Sequence, residues 1–248
     1  MHIIESIYKK AGDEMEEFAA ELMSKLDNKA SFTIPYAGGI PVPESVVVTW
    51  VIMGIIMILT LVFVRNLKLV PTGTQNYVES LVEFLNHFFL DIMGNNGRPY
   101  LAFLGTIAIY IAFSNLCGVF GLTSPTKDLN VTAALAFMAI FVIELSGIRK
   151  RGWKGYFKSF MEPIPLLLPI NILEIAIRPL SLCMRLYGNV LGSFIVMEML
   201  KILVPVFIPV IFGFYFDIFD GLIQTYIFIF LTSLFMSHKM EEEEEHEA

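Results

Sequence analysis

The chain has 248 residues, of which 56% are hydrophobic and 17% are charged. Soluble domains carry about 25% charged residues, so this composition excludes an ordinary soluble protein and predicts a polytopic membrane protein. The formal net charge of −7 comes from the two ends of the chain and gives no sign of a nucleic-acid partner.

Both ends are polar segments that flank a single predicted membrane domain over residues 45–239. Residues 1–29 are predicted to form an amphipathic arm, because their apolar residues recur at three- and four-residue steps. Residues 30–44 are rich in Pro and Gly and are predicted to be a linker. Residues 240–248 are dominated by glutamate, and such a like-charge run predicts a disordered tail.

Five apolar segments are long enough to cross a bilayer, since about 20 helical residues span its hydrocarbon core. The predicted spans cover residues 46–64, 100–120, 131–148, 169–204 and 205–236. The fourth holds about 36 residues, or roughly 54 Å of helix, against a core about 30 Å thick. It must therefore be tilted, kinked at Pro179 or broken. We predict an all-α membrane protein whose last two spans form a long tilted hairpin.

A further amphipathic helix is predicted over residues 76–93. Glu79, Glu83 and Asp91 share one face of it, and apolar residues share the other. A lipid-facing stripe of carboxylates cannot cross a bilayer, so this helix is predicted to lie in the membrane interface.

The direction in which the chain crosses the membrane follows from its basic residues. The densest cluster of Lys and Arg lies between Arg149 and Lys158, and such clusters favour the cytoplasmic side. With five spans, the N-terminus is then predicted outside and the C-terminus in the cytoplasm.

The last two spans carry polar residues at helical spacing. The predicted site residues are Glu174, Arg178, Arg185 and Asn189 on one helix, and Asp217, Asp220 and Gln224 on the other. Their spacing places each set on one helical face. Counted from the turn between the two spans, Arg185 is predicted level with Gln224, and Asn189 is predicted level with Asp220.

Arg185 is the residue that points most directly to a function. An arginine stays protonated, and its cost at the bilayer centre is about 3 to more than 10 kcal/mol. Two interpretations stay open: Asp217 or Asp220 could neutralise Arg185 as part of helix packing, or Arg185 could face a water-lined ion path. The length of the polar stripe favours the path.

Two other polar residues have simpler explanations, and no cofactor is predicted. Arg178 could pair with Glu174 or extend to the interface. Glu198, off the main stripe, is predicted in the interface or at the mouth of a channel. The isolated Cys117 and Cys183 lie in apolar runs, and no pair of histidines lies within the spans, so neither a metal nor a haem site is predicted.

Several sequence blocks resemble subunit a of the rotary F-type ATP synthases. These blocks are residues 75–79, 99–118, 125–132, 162–171 and 179–189, together with Gln224. The most specific is Arg185-Leu-Tyr-Gly-Asn189 with the glutamine downstream. The resemblance covers about residues 45–238.

The resemblance implies a stator ion channel in a bacterial plasma membrane that is not catalytic by itself. Arg185 matches the family's essential arginine and would face the carboxylate of each passing rotor subunit. Two offset half-channels, lined by the other site residues, would carry H⁺ or Na⁺ to and from the rotor c-ring. The other implied partners are the peripheral-stalk subunit b, the remaining ATP synthase subunits and the lipid bilayer.

The chain also departs from the family pattern. Many members carry a Gly-Glu pair where this chain has Ser193 and Phe194, and some carry a histidine at the position of Asp217. Asp217, Asp220 or Glu198 could therefore serve the outer half-channel.

Two other classes of function stay open at the level of the sequence. An ion-coupled secondary transporter would normally show an internal repeat, and none is evident here. A structural subunit of a membrane complex would not need a polar stripe on both long helices.

Overall fold

The computed structural model describes residues 16, 20, 30–34, 40–65, 73–159, 168–203 and 207–241. Almost all of the N-terminal arm and of the acidic tail lies outside these residues, so the predictions made for both segments stay predictions.

The segment predicted as a linker contains a β-hairpin that the sequence analysis did not anticipate. Strand β1, Ala30–Ile34, pairs antiparallel with β2, Ile40–Pro43. Both strands contain β-branched residues, which favour extended backbone. The first transmembrane helix begins directly after the second strand.

The remaining elements are helical. The α-helices are α1, Glu44–Phe63; α2, Thr74–Met93; α3, Leu101–Leu116; α4, Leu129–Ser159; α5, Leu168–Leu203; α6, Phe207–Phe214; and α7, Gly221–Glu241. Helix α4 consists of two helical parts joined at a kink, where Gly152 has a non-helical backbone. A six-residue π-helix, Tyr215–Asp220, joins α6 to α7. Short 3₁₀-helices cover Gly94–Tyr100, Cys117–Phe120 and Pro125–Lys127.

Five helical stretches in the described part of the chain are long and apolar enough to cross a membrane. They are Glu44–Phe63, Gln75–Phe120, Leu129–Tyr156, Leu168–Lys201 and Pro209–Met240. This confirms the prediction of an all-α, five-span membrane protein. The second stretch includes α2, and the interfacial position predicted for that helix stays a prediction.

Helix α5 is continuous over its 36 residues, although Pro179 lies inside it. A proline removes one backbone hydrogen bond and often ends a helix. Of the three solutions that the sequence left open for this segment, a break is therefore wrong.

The core is formed by one face each of α2, α3, α4, α5 and α7. Its most buried side chains include Leu104, Ile111, Ile143, Leu186 and Phe228. Because only one face of α5 enters this core, its opposite face is exposed along most of its length.

Helix α2 packs along α7. The rings of Phe88 and Tyr226 are 5.4 Å apart, and the Ser237 hydroxyl donates to the carbonyl oxygen of Ile92 at 3.0 Å. These contacts fix the position of α7, which carries part of the polar site.

Candidate functional site

A cavity of about 330 Å³, lined by both polar and apolar side chains, lies between the end of α3, the second half of α5 and the π-helix. Its polar lining includes Asn115, Asn189, Asp217, Asp220 and Gln224. Four of these five are predicted site residues, and the fold brings all four to one space. Lys127 and Lys201 also line the cavity, at the end that includes the loop between α3 and α4.

The two carboxylates of the cavity belong to the π-helix. Asp217 and Asp220 both lie within Tyr215–Asp220, and Gln224 follows in the first turn of α7. A π-helix is rare and often marks a functional site. The sequence spacing predicts that these residues share a face of a regular helix; they do face one cavity, but a widened turn presents the carboxylates.

Ser193 connects the two long helices at the level of Asp220. Its hydroxyl lies 2.9 Å from the carbonyl oxygen of Asn189 and 3.3 Å from Asp220 Oδ2, and it can donate to either. Beside it, the Lys127 ammonium lies 3.6 Å from the centroid of the Phe194 ring. Ser193, Phe194 and Asp217, the three positions that depart from the family pattern, all line this cavity.

The predicted depth register of the two helices is wrong by one helical turn. The sequence analysis places Asn189 level with Asp220, whereas Ser193 is the residue that contacts Asp220. The stacking of the Arg178 guanidinium on Phe235, at 5.0 Å, has the same offset. The π-helix contributes to this shift, because its wider turn advances less per residue than an α-helix does.

Asn115 lines the cavity and connects α3 to α7 through hydrogen bonds. Its amide nitrogen donates to the carbonyl oxygen of Gly221 at 3.0 Å and to the Thr225 hydroxyl at 3.3 Å. Its amide oxygen accepts from the Thr126 hydroxyl at 2.9 Å. Asn115 is not among the site residues predicted from the sequence, although a polar side chain inside an uncharged apolar span is a signal that points to it.

Gln224 presents an unsatisfied donor at the cavity. The residue is 4% exposed, and its Nε2 atom has no hydrogen-bond partner among the described residues. Buried polar atoms in native proteins nearly always have a partner, and a polar cavity of this size has room for several water molecules. The cavity is therefore suited to hold water or a hydrated ion.

The carboxylate of Asp217 lies directly against Gly118. A Cβ atom added to Gly118 would be 2.5 Å from Asp217 Oδ1 and 2.7 Å from its Cγ. The same two residues also line a second, smaller cavity of about 130 Å³ between the end of α3 and α6. Asp217 thus lies at the boundary of two cavities, in space that only a glycine leaves open.

For the ion path that the sequence resemblance implies, we expect Gly118→Ala to reduce conduction of the coupling ion through the assembled membrane sector by about ten-fold or more. The added methyl group must displace the Asp217 carboxylate, and overpacking of this kind costs about 1–3 kcal/mol. The measurement is passive ion flux in membranes stripped of the catalytic head. Gly105→Ala, in the preceding helix α3 and with no neighbouring atom within 4 Å of the added carbon, is the matched control; equal flux in both variants would show that the contact is irrelevant.

Arg185 lies outside the cavity, on the exposed face of α5. Its helix neighbours Leu182 and Leu186 are buried in the core, so Arg185 lies at the border of the exposed face. Within the part of the chain that the structure describes, Arg185 makes no hydrogen bond and no ion pair. The interpretation in which Asp217 or Asp220 neutralises it therefore finds no support in the fold.

The remaining predicted residues lie apart from the cavity. Arg178 pairs with Glu174 at 2.7 Å, as the simpler explanation predicts. Glu198 is buried and pairs with Lys201, also at 2.7 Å. Glu198 does not line the cavity, but its partner does.

Long apolar helices that enclose a polar cavity define a multi-pass membrane protein with a polar site inside its helix bundle. Comparison with known proteins gives the family: the family model described as ATP synthase A chain matches residues 46–237. The chain belongs to this ATP synthase A chain family.

Two relatives are similar over most of their length. ATP synthase subunit a of Moorella thermoacetica is 34% identical over 207 residues, which make up 82% of this chain and 93% of the relative. ATP synthase subunit a 2 of a Bradyrhizobium species is 34% identical over 202 residues, or 81% and 90%. A member of this family is a membrane-sector subunit of ATP synthase and is not catalytic by itself.

Proposed function

We propose that the chain is the stator ion channel of an F-type ATP synthase and couples the flow of H⁺ or Na⁺ to rotation of a c-ring. It provides one fixed arginine and two half-channels. Each half-channel connects one side of the membrane to the rotor, so an ion crosses only by travelling around the ring.

The observation that carries this proposal is the unpartnered charge of Arg185. An arginine on an exposed face at membrane depth is costly unless a counter-ion faces it. No described residue of this chain supplies one, so the counter-ion belongs to another subunit. A rotor carboxylate that passes Arg185 at about 4 Å gains about 4 kcal/mol at an effective dielectric constant near 20. This attraction displaces the ion bound to that carboxylate and does not hold the rotor permanently.

The polar cavity is the proposed outer half-channel. Asn189, Asp217, Asp220 and Gln224 line it between the level of Arg185 and the connection from α5 to α6. Lys201, held by Glu198, lies at its mouth. The proposed inner half-channel starts on the other side of Arg185, where Glu174 and Arg178 form their pair.

The exposed faces of α5 and of α6–α7 are the proposed contact with the ring. Large apolar side chains are exposed there, among them Leu180, Phe214 and Ile218. The other proposed partners are the peripheral-stalk subunit b and the remaining ATP synthase subunits. We place the protein in the bacterial plasma membrane with its N-terminus outside and its C-terminus in the cytoplasm, because this orientation puts the basic cluster at the end of α4 in the cytoplasm.

Single cysteines test both half-channels. In a background with Cys117→Ala and Cys183→Ala, we expect cysteines at positions 189, 217 and 220 to react with a membrane-impermeant thiol reagent added outside. Cysteines at positions 174 and 178 should react only from the cytoplasmic side. The physical reason is that a carboxylate or amide at this depth is stable when hydrated.

Leu186→Cys provides the control in that experiment, because Leu186 is fully buried on the same helix and should not react from either side. If all five test positions behave like this control, the polar residues are dry packing contacts. The half-channels would then be absent from the positions proposed.

A further inference from the structure

The basic segment at the end of α4 folds back along the helix that precedes it. Gly152 has φ +70° and ψ +166°, a conformation that is essentially restricted to glycine. After this residue, the Tyr156 hydroxyl donates to Glu144 Oε2 at 2.5 Å. In an uninterrupted helix, residues 144 and 156 would be about 18 Å apart, so the chain reverses at Gly152.

This reversal separates the side chains of the segment into two faces. Tyr156 is buried, and a cation from α7, Lys239 Nζ, lies 3.8 Å from the same carboxylate oxygen of Glu144. Trp153, on the other face, is 67% exposed. The exposed basic residues of the segment are Arg149, Lys150, Lys154 and Lys158. These four residues and Trp153 are called the basic patch below.

The basic patch carries a strong and uniform charge. No aspartate or glutamate occurs from residue 149 to residue 159. Lys150 donates to Asn96 Oδ1 at 3.3 Å, and an ammonium group has three protons to donate. The patch is therefore suited to bind anions with several acceptor oxygens, such as phosphates.

We propose that the basic patch binds the phosphate groups of anionic phospholipids, with the indole of Trp153 in the headgroup region. The patch forms the C-terminal end of the helical stretch Leu129–Tyr156 and follows its apolar part, so the anions at its depth are lipid headgroups. Tryptophan favours this interface because its ring is amphipathic. Clusters of basic residues beside a transmembrane helix gain affinity for anionic lipids. The proposal is independent of the role of Arg185.

The chain offers a direct test, because its tryptophans are Trp50 and Trp153 only. The full chain with Trp50→Phe is reconstituted into phosphatidylcholine vesicles that contain a fixed fraction of either brominated phosphatidylglycerol or brominated phosphatidylcholine. Bromine quenches indole fluorescence on contact. We expect phosphatidylglycerol to quench Trp153 about two-fold or more strongly, and added salt to remove the difference by screening.

The reciprocal variant, Trp153→Phe, is the control. It leaves Trp50, which is also exposed at 54%, and no Lys or Arg occurs from residue 40 to residue 60. The two brominated lipids should quench Trp50 equally. The variant Arg149→Gln/Lys150→Gln/Lys154→Gln/Lys158→Gln in the Trp50→Phe background should lose the preference of Trp153 for phosphatidylglycerol.

Two results would overturn the proposal. Equal quenching of Trp153 by the two lipids at low salt would show that the patch does not select anionic headgroups. Absence of quenching by either lipid would show that protein, and not lipid, covers Trp153. The salt titration uses the unsubstituted patch, so the outcome does not depend on whether the four-fold variant folds.

Discussion

Arg185→Ala should abolish ion-coupled ATP synthesis and ATP-driven ion pumping while the complex still assembles. In the proposed mechanism, the substitution removes an attraction of about 4 kcal/mol between the stator and a rotor carboxylate, which corresponds to about a 1000-fold change in a rate or an equilibrium. Arg185→Lys keeps the charge but loses the planar guanidinium, so we expect partial function at most. The measurement is ATP synthesis driven by an imposed ion gradient in inverted membrane vesicles.

Met184→Ala is the matched control for Arg185→Ala. Met184 is the preceding residue on the exposed face of α5 and is 52% exposed. Its truncation tests the loss of packing volume at the same level of the helix and should leave most of the synthesis intact. Wild-type synthesis in Arg185→Ala vesicles would disprove the role proposed for the arginine.

The second large effect is expected for the two carboxylates of the π-helix taken together. Asp217→Asn and Asp220→Asn should each reduce ion conduction only in part, because both side chains line the same cavity and one can take over from the other. The double variant should reduce conduction by roughly 100-fold, the lower end of what a positioned proton-transfer group contributes. Passive flux through the membrane sector, measured at several values of pH, provides the comparison.

The double variant Glu79→Gln/Glu83→Gln is the control for Asp217→Asn/Asp220→Asn, because it also removes two carboxylate charges. These carboxylates lie on α2 and do not line the cavity, so we expect flux close to that of the unsubstituted protein. If the double variant at the π-helix conducts as well as this control, the outer path must run elsewhere.

The sequence predicts those parts of the site that are costly in an apolar environment. Arg185, Asp217 and Asp220 can be selected from the sequence because a charged side chain within the membrane is energetically costly. This cost can be recognised without knowing which helices are neighbours. The five spans follow from the same physics, since their length and apolar composition match the thickness of a bilayer.

The contacts between helices were not predictable in the same way. Gly118 and Ser193 contribute to the site only because α3 and α5 approach the π-helix closely, and their residue types are ordinary in any membrane helix. The depth register failed for a related reason: counting residues from the turn assumes a constant rise, and a π-helix has a different one. Local deviations from regular helix are not visible in a pattern of apolar residues.

The π-helix also sets the rotational phase of the last transmembrane stretch. A regular α-helix turns about 100° per residue, and a π-helical turn holds an additional residue. The helix that follows is therefore rotated by about 100° from the phase that α6 alone would impose. Val210 and Phe214 face outward on α6, while Phe228 and Met236 face the core on α7. The additional residue of the π-helix thus lets α6 and α7 face different surroundings within one transmembrane stretch. Helix α6 presents an apolar surface, and α7 completes the helix bundle.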